Sequence, residues 1–463
     1  MINTVNSLSD RKVYIVSLGC SKNRVDTEIM LGRLIRAGYL ITGTLNQADA
    51  VIVNTCGFLQ ESVNEALSEL TALAGHKNKT GFRLVATGCL VQRMGKELLH
   101  KVPEIDALVG VHGYNDIVSA VTGGRKTAVP KTACEYPSAF YHNRVMTTGP
   151  GWAYLRIADG CDNNCSYCLI PKIRGRFRSR KMGDIVAEAR MLVSKGVKEI
   201  NLIAQDTTNY GLDLHGKRCL GKLVKRLDKV PGLEWIRILY AHPAHLDEGL
   251  INDLSETEHA VNYLDLPLQH ASDRILASMG RRTTKKSITS LIKKLRKESP
   301  GLVLRTTMMV GYPGETEKEF RELMDLAVGS GFDRLGAFVF SPEPGTRAAG
   351  LPGQVDAGTK DRRLRRLMEQ QQKISLSRNR IRLNKKVMVL VEGECVNDLN
   401  IKFRKGFRYY GRSRAEAPEV DGKVYIKTGK RLEYGSIVPV RIDRAWDYDL
   451  GGTLINQQDW ALC

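Results

Sequence analysis

The segment GCDNNCSYCLIPKIRGRFRSR holds Cys161, Cys165 and Cys168 in the spacing CxxxCxxC. Three thiols on one tight loop converge, and converging thiolates make a metal site. A zinc ribbon needs a second cysteine pair, and none follows at suitable spacing. A ferredoxin run supplies four cysteines. Three cysteines bind three irons of a 4Fe–4S cluster and leave one iron open. The loop follows an apolar run, Tyr154 to Ala158, that reads as a strand. The fold must therefore end a strand at a ligand-bearing loop.

Five further strand-like runs succeed this one: EINLIA from 199, WIRILY from 235, YLDLPL from 263, VLRTTMMV from 303 and LGAFVF from 335. Helical patterns separate them. Six such units suit an incomplete (βα) barrel rather than the closed eightfold one, with function at the carboxyl ends of the strands. Polar residues stand there: Gln205 and Asp206, Gln269 and His270, Arg305, and the turn Gly311-Tyr-Pro-Gly-Glu315. Each also reads as a helix cap or turn element. His242 in YAHP reads equally as a base or as a structural histidine.

The region before the barrel shows three shorter runs, Val13 to Leu18, Ala50 to Val53 and Leu84 to Ala86. Helical patterns at Asp26 to Ala37 and Glu61 to Leu73 lie between them. The alternation predicts an open parallel sheet. Each run ends in a short polar or glycine step and a cysteine: SLGC (Cys20), VNTC (Cys56) and ATGC (Cys89), 36 and 33 residues apart. Ligands bind beyond the carboxyl ends of such strands. One such cysteine reads as a small apolar residue closing a strand. Three in one topological slot point to a shared metal site, one ligand short of a closed shell.

A linker-like stretch with Pro130, Pro137, Gly149 and Pro150 follows. Past the barrel, Asp361 to Lys386 carries ten Lys or Arg and reads as a long basic helix. Val387 to Val391, Lys423 to Ile426 and Ile437 to Ile442 are then β-like, which predicts a small β-barrel of the kind that binds nucleic acid. The chain has 70 Lys and Arg against 50 Asp and Glu, a formal charge of +20. That excess suits nucleic acid, a ribonucleoprotein or an anionic surface. No apolar run reaches the roughly 18 residues of a membrane span. The opening MINTVNSLSDRKVYIVSLGC lacks the pattern of a secretory signal. Ten cysteines in such a chain point to a reducing, cytoplasmic compartment. Cys134, Cys219, Cys395 and Cys463 match no motif and read as structural.

With an aromatic, Tyr167, before its last cysteine, the CxxxCxxC loop on a βα barrel resembles the radical S-adenosylmethionine superfamily. The order of the three blocks resembles its methylthiotransferases, over about residues 11 to 449. Two branches of that family differ in target. One modifies an adenosine of tRNA, the other an aspartate of small-subunit ribosomal protein twelve. VSLGCSKNRVDTE (16–28), VNTCGFLQES (53–62), GCDNNCSYCLIPKIRG (160–175), YAHP (240–243), LPLQHASDRILASMGRR (266–282) and FSPEPGTRAA (340–349) are similar to the ribosomal-protein branch. The tRNA branch reads GCQMN near its first cysteine and lacks YAHP. The one variation is Arg24, where an apolar residue is expected.

The resemblance implies an α/β fold: an N-terminal open parallel sheet over 11–126, a partial (βα)6 radical core over 147–378, and a small C-terminal TRAM barrel over 381–449. It implies two 4Fe–4S clusters, one on Cys161, Cys165 and Cys168, the other on Cys20, Cys56 and Cys89. S-adenosylmethionine would chelate the open iron of the first and be cleaved by one electron. The resulting radical would take a hydrogen atom from the aspartate β-carbon, and the second cluster would carry the sulfur. Tyr167, Gln205, Gln269, Arg305 and Glu315 are the implied S-adenosylmethionine contacts. Ribosomal protein twelve, in a ribosomal or pre-ribosomal context, and a flavodoxin- or ferredoxin-type reductant are the implied partners. A non-catalytic iron–sulfur RNA-binding factor is the reading of another class, and two open three-cysteine sites speak against it.

Three basic stretches remain. Lys172 to Lys181 holds six Lys or Arg in ten residues and Arg281 to Lys297 eight in seventeen, each the pattern of a solvated face. Lys402 to Arg412 alternates bases with Phe403, Phe407, Tyr409 and Tyr410, which suits stacking plus phosphate contact, or a half-buried barrel strand. A basic ribosomal protein does not attract a chain of charge +20, so the charge is assigned to ribosomal RNA around the target. Affinity for small ribosomal subunits then falls steadily as salt rises. An affinity indifferent to salt contradicts this assignment.

Overall fold

The structure is a computed structural model that describes residues 11–124, 127–131, 138–395 and 406–456. Cys134, Pro137, Lys402, Phe403, Arg404, Lys405 and Cys463 lie outside the described residues. The chain divides into two compact units. One comprises the chain up to Thr147 together with Ala158–Asp184 and Glu343–Ala349; the other comprises the rest.

The first unit is built on six parallel strands: β1 (Lys12–Ser17), β2 (Leu40–Ile41), β3 (Ala50–Thr55), β4 (Arg83–Gly88), β5 (Ala107–Gly110) and β6 (Thr127–Ala128). Their order is β2-β1-β3-β4-β5-β6. Because side chains alternate across a strand, β3 feeds two cores. Ala50 and Ile52 join Val13, Val85 and the helix Ser21–Arg36 on one face. Val51 and Val53 join Leu84, Ala86 and the helix Gln60–Thr80 on the other. Both faces are covered, so the strands read as unbroken apolar runs. The three expected runs are β1, β3 and β4; the shorter β2, β5 and β6 complete the sheet. The next strand, β7 (Trp152–Arg156), belongs to the second unit. The first resumes with an antiparallel ribbon, β8 (Ala158–Asp159) against β9 (Arg178–Ser179), which brackets the loop of Cys161, Cys165 and Cys168.

In the second unit β7 is joined by β10 (Glu199–Ile203), β11 (Trp235–Ile238), β12 (Ala260–Asp265), β13 (Val303–Val310) and β14 (Arg334–Val339). All six expected runs are present. Each pairs in parallel with its predecessor and the sheet does not close, the topology of an incomplete βα barrel. The helix Ala357–Arg380, started by Asp356 accepting from Thr359 N at 2.8 Å, packs on β14. The last five strands, β15 (Lys386–Glu394), β16 (Tyr409–Ser413), β17 (Val424–Lys427), β18 (Ile437–Ala445) and β19 (Leu450–Leu454), close a barrel in the order β15-β16-β17-β19-β18. Two of these, β16 and β19, escape a search for apolar runs. In β19 a side chain at Gly451 would meet the rings of Phe407 and Trp446, so glycine is required there. Tyr409 sits in the barrel core and Arg412 is buried, so this part of the basic–aromatic run faces inward rather than toward RNA.

The amino ends of the sheet strands meet this small barrel through a buried polar layer. Glu199, the first residue of β10, accepts from Arg237 of β11 at 2.8 Å and from Arg412 of β16 at 2.7 Å. The hydroxyls of Tyr154 and Tyr263 donate to Glu419 and Asp421, at 2.9 and 2.7 Å. Arg305 lies against Asp265 and Asp421, and Arg334 donates to Glu416 at 3.1 Å. Arg382 also pairs with Glu416. Burial opposes ionisation of Glu416, yet Arg382, Arg334 and the Ser413 hydroxyl outweigh it and hold its carboxyl down at about 2.

Removing one member of such a network leaves buried charge unpaired. Glu416→Gln is therefore expected to destabilise this unit by roughly 3–5 kcal/mol, read as a lower urea midpoint. The ordinary carboxyl value is 4.5, so the stability from Glu416 is full above it and fades as pH falls toward 2. The variant should lose this acid-dependent component; an unchanged midpoint contradicts the layer's importance.

Candidate metal and cofactor site

The neighbouring strands β1, β3 and β4 run in register, with Ser17 opposite Asn54 and Thr55 opposite Gly88. Cys20 follows β1 and caps the helix Ser21–Arg36, Cys56 follows β3 directly, and Cys89 opens the helix Cys89–Met94 after β4. The three thiols thus leave the same edge of one sheet. Each has a glycine beside it, and each glycine lets another loop approach. A Cβ on Gly19 would stand 2.9 Å from the Cys56 Cβ. One on Gly57 would stand 2.7 Å from Leu90 Cα, and one on Gly88 would stand 2.6 Å from Thr55 O. Polar side chains knit the loops below. Asn23 donates to Leu18 O and Thr55 O, both at 3.1 Å, and Asn54 donates to Asn23 O at 2.8 Å.

Cys56 and Cys89 are buried while Cys20 is exposed. Burial pushes both buried thiols up, Cys89 to about 12, with Cys20 adding to the effect. Such thiols surrender their protons when a metal takes the proton's place. Among the described residues no three His, Cys, Asp or Glu side chains close on a point that would hold one ion. A cluster makes another demand, since each thiolate takes its own iron. An all-sulfur donor set on a glycine cradle fits that group.

The second cysteine set lies in the same compact unit. Gly160, at φ +75°, lets the loop close: a Cβ there would stand 2.0 Å from Arg176 O. Cys161 N donates to Gly175 O at 3.1 Å, Cys168 N to Cys165 O at 3.2 Å, and Ile170 N to Cys168 Sγ at 3.4 Å. Tyr167 is half-buried between the last two cysteines. The segment Glu343–Ala349 grips this loop: Lys172 donates to Gly345 O at 2.7 Å, Arg347 to Asn164 O at 2.8 Å and Ala348 N to Ser166 O at 2.9 Å. Glu343 itself accepts from Gln60 N at 2.6 Å and Arg93 at 3.0 Å.

The implied S-adenosylmethionine contacts of the second unit divide into two pairs. Gln205, just past β10, and Gln269, past β12, are half-buried, and each has a buried side-chain oxygen with no hydrogen-bond partner. Gln269 adopts φ 74°, pinned by its N–H to Thr307 O at 2.9 Å and by Met309 N to its carbonyl at 2.7 Å. These oxygens suit the N–H and O–H donors of a nucleoside or amino acid. Arg305 and Glu315 are placed otherwise. Arg305 is the third residue of β13, near its amino end, and Asp265 and Asp421 hold its guanidinium. Glu315 is buried and accepts from Arg363 at 2.9 Å, Gly311 N at 2.9 Å and the His270 ring at 3.2 Å, so it shapes the GYPGE turn. Asp206 is likewise committed, to Thr208, Asn209 at 3.0 Å and His245 at 2.9 Å. Burial pushes His242 down to about 3, aided by Arg281, and its Nδ1 accepts from Ala244 N at 3.2 Å. It caps the short turn Pro243–His245.

Comparison with known proteins agrees with this geometry. Residues 12–110 match an uncharacterised protein family, UPF0004; residues 155–327 match the radical SAM superfamily; residues 385–455 match the TRAM domain. The ribosomal protein uS12 methylthiotransferase RimO of Acetivibrio thermocellus is 43% identical, over 96% of this chain and 99% of its own. That of Desulforamulus reducens is 45% identical over the same shares. The chain belongs to the RimO family. Among solved structures, the radical S-adenosylmethionine methyltransferase TsrM of Kitasatospora setae superimposes with a TM-score of 0.52 at 16% identity, covering 73% of this chain and 77% of that one. It shares the fold.

Sequence reading missed one group of residues. The run Lys172 to Lys181, expected as a solvated face, is not uniform. The Arg176 side chain is 88% exposed, whereas that of Arg174 is 2% exposed and reaches Asp26, Asn23 and Asp159. His112 lies nearby, and burial pushes it down to about 4.

The glycine cradle is testable without activity. In Gly57→Ala the new Cβ meets helix backbone rather than a flexible side chain. Anaerobic reconstitution is expected to load iron equivalent to one cluster instead of two. Full loading would contradict the cradle.

Proposed function

We propose that this chain adds a methylthio group to the β-carbon of an aspartate of ribosomal protein uS12. Near full-length similarity to uS12 methylthiotransferases supports the reaction class and target. The observation that carries the site is that two open three-cysteine sets stand in one compact unit. Cys161, Cys165 and Cys168 would hold one 4Fe–4S cluster and Cys20, Cys56 and Cys89 the other. When bound, the first cluster with S-adenosylmethionine supplies a radical able to take a hydrogen atom from carbon, and the second supplies the sulfur. Gln205 and Gln269 offer acceptors that would orient the cofactor. In the other unit, the half-buried Tyr167 would present its backbone to the adenine. Arg305 and Glu315 would act at one remove, Arg305 through its carboxylate partners and Glu315 through the GYPGE turn.

The target is met within a ribosomal or pre-ribosomal particle in the cytoplasm, with RNA contact through the TRAM barrel and basic segments. No described helix is long and apolar enough to cross a membrane. A flavodoxin- or ferredoxin-type protein delivers the electron. The near full-length relatives that are uS12 methylthiotransferases favour uS12 over the rival target, a tRNA adenosine.

Two substitutions separate the two cysteine sets. Cys165→Ala is expected to abolish 5′-deoxyadenosine formation altogether. Cys56→Ala is expected to keep that cleavage but lose sulfur insertion. Sulfur insertion by Cys56→Ala at the parent level would overturn the two-cluster assignment.

A further inference from the structure

Arg174 belongs by sequence to the Cys161–Cys168 loop, as the residue that ends its short helix Ile170–Ile173. By contacts it belongs to the other cysteine set. Its Nη2 donates to Asp26 at 2.7 Å and Asn23 Oδ1 at 2.8 Å, and lies 3.5 Å from Cys89 Sγ. Its Nη1 reaches Asp159 at 3.3 Å. The Cys89 thiol is in turn 3.5 Å from Asn23 Oδ1. One sulfur of the Cys20, Cys56 and Cys89 set thus has a buried cation against it, and the same Nη2 holds a buried carboxylate, Asp26.

Placing a guanidinium there is expensive, since burial of a charge costs several kcal/mol before its partners repay it. Two carboxylates and an amide are devoted to holding it. Simple packing would be met by an apolar side chain. What an apolar residue would lack is a donor and a positive charge beside a thiolate. Hydrogen bonds to ligand sulfurs and nearby charge are the levers by which a protein sets a cluster's potential.

We propose that Arg174 is a positioning residue that raises the reduction potential of the cluster on Cys20, Cys56 and Cys89, and that Asp26 lowers it. The reduced cluster carries one more negative charge than the oxidised one. A donor and cation at Cys89 Sγ stabilise the reduced form; the carboxylate bound to the same nitrogen destabilises it. Because Arg174 is covalently part of the other cysteine loop, the position of that loop and the potential of this cluster are linked through one side chain. The inference rests on the reading of Cys20, Cys56 and Cys89 as cluster ligands.

The test uses the full chain carrying Cys161→Ala, Cys165→Ala and Cys168→Ala, reconstituted anaerobically with iron and sulfide so that one cluster remains. Its midpoint is followed by electron paramagnetic resonance at controlled potential. Arg174→Gln should shift the midpoint to more negative values, and Asp26→Asn should shift it to more positive values. Arg174→Lys, which keeps the charge but not the fork, should fall between Arg174→Gln and the parent. A structural disturbance alone has no reason to give shifts of opposite sign. If Arg174→Gln does not hold iron, Asp26→Asn and Arg174→Lys decide the matter. Midpoints that do not move, or that move together, at unchanged iron content overturn the proposal. Absence of any cluster from the triple-alanine chain overturns the ligand reading instead.

Discussion

A guanidinium buried among carboxylates and a thiol is the constraint around which the first unit is arranged. Arg174 can be charged in that interior only if Asp26, Asp159 and Asn23 are in place, and they come from two separate stretches of chain. Burial opposes the charge, yet Cys89, Asp26 and Asp159 together more than offset it. The consequence is geometric. Arg174 ties the end of the Cys161–Cys168 loop to the helix Ser21–Arg36, whose Asn23 also bonds Leu18 and Thr55. Glu28 of the same helix pairs with Arg144 and accepts from Thr147 N at 2.8 Å, which fixes the chain on its way to β7. One helix therefore touches both cysteine sets, through Asn23 at Cys89 and through Asp26 at Arg174.

The second unit solves a related problem at the opposite ends of its strands. An open six-stranded sheet leaves an interior that apolar side chains alone would fill indifferently. Here the amino-end layer is polar, and its partners come from the small barrel: Arg412, Glu416, Glu419 and Asp421. Buried ionic layers of this kind are demanding, because each member is destabilising unless all are satisfied. Past the carboxyl ends of β10 and β12, Gln205 and Gln269 keep acceptors in reserve.

Much of this was legible in the residues. The six barrel strands and three sheet strands carry local apolar runs, and β3, β7, β10 and β11 are buried at every residue. The cysteines declared themselves by spacing, and the glycines beside them are explained by the close approaches they permit. What stayed hidden depends on partners far away in sequence. Arg305 looks like a ligand-facing base until Asp421, from the small barrel, is seen against it. Glu315 looks like a free carboxylate until Arg363 is seen. The basic run at 172 to 181 hides one buried member, because burial of Arg174 is decided by residues some 150 positions earlier, at a separation of 148 from Asp26. Short strands such as β5 and the glycine-bearing β19 carry too few apolar residues to stand out.

The account's central claim is that the two cysteine sets serve one reaction on uS12. The most direct test offers reconstituted enzyme sulfide, reductant and S-adenosylmethionine with a labelled methyl group under anaerobic conditions. Small ribosomal subunits and bulk tRNA, both from cells lacking the enzyme, are supplied together, and mass spectrometry locates the label. The account predicts a labelled methylthio group on one aspartate of uS12. Label on a tRNA adenosine, with uS12 unmodified, would contradict it.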